Sequence, residues 1–148
     1  MPAAGQRVLA LDFTDSVSST DATAHLNIST TPALGTPGVN VTFTAPTSGK
    51  VMVHVGASIV ENGGATVAGV IDYRVRLTNS SGTIVYNLGS VLRRLVLFGN
   101  AQSQEATRTS YLSGLTPGQV YYVEMLHASY GTQVDLYGRT LTVVPLPA

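Results

Sequence analysis

Three histidines, at positions 25, 54 and 127, are the first residues of this chain that could do chemistry. A zinc site needs three or four converging ligands, and the chain has no His-x-His, no His-x-x-x-His and no carboxylate spaced to complete one. Each is therefore read as a structural histidine, with His54 and His127 on strands that could be neighbours across a sheet. General acid–base work asks for paired carboxylates in a cleft. Asp72 and Glu124 instead fall on the outward faces of strands, Asp72 with Arg74 beside it, and read as surface charges. Asp12 and Asp15 flank a strand end as turn or cap residues. Ser48 and Ser113 sit in turns and lack the Gly-x-Ser-x-Gly elbow of a nucleophile. Asn62-Gly63-Gly64 and Tyr137-Gly138 are turn or bulge glycines rather than a phosphate-binding loop. The expectation is a protein with no catalytic residues, no bound metal and no cofactor, and hence no enzyme.

Two surface features remain. In Val91-Leu-Arg-Arg-Leu-Val-Leu-Phe98 the residues Leu92, Val96 and Phe98 lie on one face of a strand and Val91, Leu95 and Leu97 on the other. An antiparallel sandwich offers one core face only. The second apolar face is a subunit interface with one arginine of Arg93-Arg94 paired across it, or else it is covered by a long loop. The interface candidates are Val91, Arg93, Arg94, Leu95 and Leu97. Of seven tyrosines, Tyr130 and Tyr137 stand in or near the last turn and are the pair that could offer a platform to a glycan.

The elements that carry these residues are strands. Val39 to Phe43 alternates strictly, and Val51, Val53 and Val55 share one face of the run Lys50 to Val60. From Val70 to Leu77, Ile71, Tyr73, Val75 and Leu77 oppose Asp72, Arg74 and Arg76; Asn79-Ser-Ser-Gly82 turns the chain into Thr83 to Leu88. Further strands read from Arg7 to Phe13, Val91 to Phe98, Gln104 to Leu112, Val120 to His127 and Leu136 to Val144. Thr14 to Pro37 reads as a long connection with one short strand at Ala24 to Ile28, and Pro145 to Ala148 as a tail. No 3.6-residue period lasts three turns. The fold expected is all-β: a single-domain antiparallel β-sandwich over residues 1–148, jelly-roll or immunoglobulin-like.

Composition narrows the partners. Of 148 residues 44% are hydrophobic and only 11% charged, and eight basic residues offset eight acidic ones. Neutrality removes the electrostatic case for nucleic acid or an anionic membrane. A surface so poor in charge is weakly protected from self-association, which points to burial in an assembly. The absence of cysteine excludes disulfides and thiolate metal sites. Met1-Pro-Ala-Ala-Gly-Gln6 has no basic n-region, so no signal peptide is read and synthesis in the cytosol is expected.

Gly114-Leu-Thr-Pro-Gly-Gln-Val-Tyr121 has the shape of a tyrosine corner and resembles that of fibronectin type III domains, although the chain lacks their tryptophan. Across residues 39–147 the pattern Phe43-Thr-Ala-Pro-Thr-Ser-Gly-Lys-Val-Met-Val-His-Val55, the Gly-Leu-Thr-Pro-Gly corner and Arg139-Thr-Leu-Thr-Val-Val-Pro-Leu-Pro147 is similar to virion proteins of phages infecting actinobacteria, of the minor tail or decoration type. The Phe-Thr-Ala-Pro segment also resembles the strand entry of C1q/TNF-like jelly rolls, which assemble as trimers. These resemblances imply a non-enzymatic capsid decoration or minor tail protein located in the virion, assembling with itself as a trimer and with other virion proteins. The alternative they leave is a carbohydrate- or receptor-binding module at a tail tip.

Overall fold

The structure, a computed structural model, describes residues 15–61, 67–87, 95–99, 103–130 and 134–148. Its strands are β1 (Val17–Asp21), β2 (Asn40–Thr44), β3 (Val51–Glu61), β4 (Val67–Leu77), β5 (Ile84–Tyr86), β6 (Leu95–Gly99), β7 (Ser103–Leu112), β8 (Val120–Tyr130) and β9 (Val134–Pro145). All pairings are antiparallel. One sheet has the order β1-β9-β3-β7, and the other β2-β8-β4-β5, with β6 also on β4. Because β5 pairs with Val75 and Arg76 while β6 pairs with Val67 to Ile71, the two share one edge of β4 as halves of an interrupted strand. With that position counted once, the chain changes sheet at every connection except the one that follows β4. Of the two sandwich forms expected, this strand order is the jelly roll.

The alternation seen in the sequence becomes the core. Val51, Val53 and Val55 of β3 face Ile71, Tyr73 and Val75 of β4 and Val123 and Met125 of β8, all with 0% exposure. Ala57 and Ile59 continue the same alternation of β3 inward. Opposite Gly56 to Ser58 the extra residue of a bulge lies on β9, between Tyr137 and Thr140, and shifts its inward positions from Val134 and Leu136 to Arg139, Leu141 and Val143.

The expected strand at Arg7 to Phe13 lies outside the described residues. Two boundaries differ from expectation. Thr14 to Pro37 is not wholly a connection, since Val17–Asp21 is the edge strand β1, in register with Arg139–Val143 of β9. Its Ser/Thr-rich sequence hides this because one face is solvent and only Val17 contributes an apolar inward residue. The expected strand at Ala24 to Ile28 is reduced to an isolated bridge, His25 to Leu136. At the other end Pro145 belongs to β9, and Leu146 is tied down by its N–H to the Lys50 carbonyl and by the Ser48 hydroxyl to its own carbonyl.

The corner forms as its residues specify. The Thr116 N–H donates to the Tyr121 hydroxyl at 3.0 Å, the Tyr121 ring stacks on Phe43, and Leu115 is buried. Two connections clasp there: Leu115 N–H bonds the Gly49 carbonyl, and Gly118 N–H bonds the Ala45 carbonyl. Gly49 holds φ +63°, and a Cβ there would overlap the Leu115 carbonyl oxygen. Replacing Gly49 with Ala therefore carries both strain and a clash, a loss on the order of 1–3 kcal/mol. Tyr121→Phe removes one hydrogen bond and costs about 1 kcal/mol. Chemical denaturation of the two variants is expected to rank them in that order.

Candidate functional site

Arg139 has 0% exposure, and the register of β1 on β9 places Asp21 directly opposite it. Inward residues of β9 recur at every second position, and Leu141 and Val143 are core, so the same period turns the guanidinium of Arg139 into the sandwich. Burial without partners would cost several kcal/mol, and the structure supplies partners on every side. Arg139 Nε and Nη2 donate to Asp21 Oδ2 at 3.2 and 2.5 Å. Nη1 donates to the Leu34 carbonyl and Nη2 to the Pro37 carbonyl. Both carbonyls belong to the connection from β1 to β2, which is thereby fastened over the seam between the sheets.

Two histidines complete this cluster. His25 Nε2 lies 2.9 Å from Asp21 Oδ2, and the His25 ring is 5.5 Å from that of His127 on β8. Arg139 Nη1 approaches His127 Nδ1 at 3.4 Å, and a guanidinium can only donate, so that nitrogen accepts and the imidazole is neutral. Gly35 passes so close that a Cβ would stand 2.7 Å from Arg139 Nη1 and 2.8 Å from His127 Cε1. Burial alone would raise the Asp21 carboxyl; hydrogen bonds from His25, Arg139 and Thr23 outweigh it and hold the group well below the usual carboxylate range. Burial first, then the charge of Arg139 and the nearness of His25, push His127 down to about 4.

His54 and His127, the two histidines that could have been cross-strand neighbours, stand in different sheets. His54 is on β3 in the other sheet and bonds the Thr109 hydroxyl at 2.7 Å. His25 takes its place beside His127 because the connection folds back: Ala33 bridges His127, Ile28 N–H bonds the Val134 carbonyl, and Asn27 N–H bonds Asp135. Arg139 is the centre of this cluster, and the sequence reading missed it. Its signal was a charge at an inward position of the last strand.

The carboxylates expected on the surface are buried. Glu124 is 2% exposed and Asp72 4%. Glu124 lies on the central strand β8, where Arg74 is its cross-strand partner and Arg76 its diagonal one; both Nε atoms donate to Glu124 Oε1, and the arginine stems cover it. Arg76 also bonds the Gly82 carbonyl, tying the β4–β5 turn to the same triad. Burial and then the Glu124 charge raise the neighbouring Tyr122 phenol. Asp72 accepts the Tyr73 N–H at 2.8 Å.

Of the interface candidates, Val91, Arg93 and Arg94 lie outside the described residues. Leu95 stands opposite Ile71 and packs half-buried against the core. Leu97 pairs with Gly69 on the same strand. Tyr130 and Tyr137 do not form a pair. Tyr130 opposes Ala68 in one sheet and is 54% exposed, while Tyr137 opposes Ser58 in the other and is half-buried. Tyr130 rims a cavity of about 90 Å³ with Thr30, Pro32, Val70, Asp72 and Leu126. Pockets for drug-sized ligands run to roughly 300–1,000 Å³.

No protein-family model matches the chain, and no curated protein sequence matches it. Among solved structures, a chain from the structure of the Gt strain of infectious bursal disease virus superposes with a TM-score of 0.50 at 9% identity, over 88% of this chain and 33% of that one. The VP2 protein of the same virus, in derived T=1 particles, gives 0.41 at 11% identity over 88% and 32%. The enzymatically active domain of bacteriophage CBA120 tailspike protein 4 gives 0.30 at 11% identity over 84% and 19%. The likeness to the first is one of fold, and this chain spans about a third of the length of the viral chains.

Removing Arg139 alone leaves Asp21 as an uncompensated buried charge. Arg139→Leu is expected to cost about 3–5 kcal/mol, and Asp21→Asn combined with it to recover part of the loss. Thermal unfolding of the single and double variants measures both; equal stability of Arg139→Leu and the parent protein would contradict the assignment.

Proposed function

We propose that this chain is a non-enzymatic structural component of a bacteriophage virion, a capsid decoration or minor tail protein, acting through protein–protein contacts with itself and with other virion proteins. The observation that carries this reading is the edge strand β7. Ten residues long, it pairs with β3 on one side and, among the described residues, with no strand on the other. It contains neither the proline nor the lysine that commonly guards such an edge. Beside it the outer face of the sheet carries Thr107, Thr109, Thr140 and Thr142, with Met52 opposite exposed Tyr111. A threonine-rich face ending in an open edge, with Glu105 and Arg108 as the charges of β7, suits pairing between subunits, and the low charge of the chain agrees with burial in an assembly. The jelly-roll order held in common with a chain of a virus structure supports the same reading, as does the resemblance of the Phe43 to Val55 segment and the corner to phage virion proteins. The trimer is the form that the C1q/TNF-like resemblance favours.

Light scattering of the isolated protein is expected to show a homo-oligomer, and the protein is expected to bind purified capsids or tails. Thr107→Lys, which places a charge beside the β7 edge, is expected to weaken self-association about tenfold with little change in unfolding temperature. A strict monomer with no affinity for capsids or tails defeats the reading. Glycan binding lost on Tyr130→Ala, in a protein without particle affinity, would replace it with a carbohydrate-binding module.

A further inference from the structure

We propose that the segment from Ala22 to Gly38 is an acid-released latch, closed over the sandwich seam at neutral pH and opened when His127 takes up a proton. The inference does not depend on what the protein assembles with.

The geometry makes His127 the sensor. Its Nδ1 must keep a lone pair to accept from Arg139, so protonation turns an acceptor into a donor that faces another donor. The groups around it are few and can be named from each element. Asp21 comes from β1, His25 from the latch and Arg139 from β9, while the cross-strand neighbour on β4 is Ile71. Asp72 of β4 lines the cavity beside the histidine, and Asp135 of β9 is engaged by the Asn27 N–H. Within the cluster one carboxylate offsets one guanidinium, so any histidine proton is surplus positive charge in a buried space.

The latch is the part that must yield. Its hold on the body includes backbone bonds at His25, Ile28 and Ala33, the Asn27 N–H to Asp135, the His25 ring to Asp21, the two carbonyls given to Arg139, the Ser129 contacts to Ser29 and Ile28, and the buried Ile28 side chain. The strands beneath are knitted along their full length and keep their own ladders when the latch lifts. The sign follows from linkage. A histidine whose value is lowered on closing, from 6.5 to about 4, favours the closed form fully above pH 6.5, and this preference is lost as pH falls toward 4. Asp21, held low, releases its share only at more acid pH.

The test is hydrogen exchange of the full chain at pH 7.5 and 4.8, corrected for intrinsic rates and read by peptide. Residues 22–38 are expected to lose at least tenfold of their protection at pH 4.8, while β3 and the centre of β8 keep theirs. His127→Asn, which retains an acceptor for Arg139 but cannot be protonated, is expected to leave the latch protected at both values. Unchanged protection of the parent protein, the same loss in His127→Asn, or joint loss across latch and core would each overturn the proposal. If His127→Asn does not fold, NMR titration of the His127 ring in the parent protein decides. A midpoint that coincides with latch opening supports the proposal; a midpoint near 6.5 with the latch still closed refutes it.

Discussion

The ion pair between Arg139 and Asp21 is the constraint on which the rest of this structure depends. A guanidinium with 0% exposure is tolerable only when every face of it is answered. The answers come from distant parts of the chain: an edge strand, two carbonyls of a crossover segment and an imidazole from the opposite sheet. One buried charge thus obliges β1, β8, β9 and the connection to meet at a single point. The same pairing explains why a Ser/Thr-rich stretch with almost no apolar residues is held as a strand. β1 contributes little core, and its place at the edge of the sheet is secured at Asp21.

A second ionic knot sits on the outer side of the other sheet. Arg74, Arg76 and Glu124 join β4 to β8 and, through Gly82, to the turn that begins β5. The two knots differ in kind. In the outer one, two cations share a carboxylate, and long stems shield it from water. The inner one balances one charge against one and places beside them the His127 imidazole, which accepts from Arg139, and this makes it sensitive to protons. The corner at Thr116 and Tyr121 is a third fastening, made of neutral hydrogen bonds and ring packing.

What the sequence makes legible follows from which interactions are periodic. The valines of β3, the alternation of β4 and the Leu-Thr-Pro-Gly corner each report a local environment, and each was readable as strand or turn. Asp72 and Glu124 alternate with apolar residues and so read as solvent-facing, yet neighbouring side chains bury them. Period-2 reasoning states which side of a sheet a residue occupies and is silent on what lies over that side. The pairing of His25 with His127 spans a hundred positions of chain and depends on a crossover whose path no local pattern encodes. Arg139 was the residue open to recognition, because a charge among inward positions violates its own strand's alternation.

By itself the sequence determined an all-β chain, the approximate strands, the valine-rich core and the corner, since these rest on side-chain periodicity and turn stereochemistry within a few residues. It also determined that no thiolate chemistry is available, there being no cysteine. The tertiary structure alone decided between jelly roll and immunoglobulin-like order, because that choice is made by which strands pair across long connections. It alone decided which charges are buried and which histidines meet. Desolvation and ion pairing act through space, and their partners here are separated by 118 residues in the case of Asp21 and Arg139.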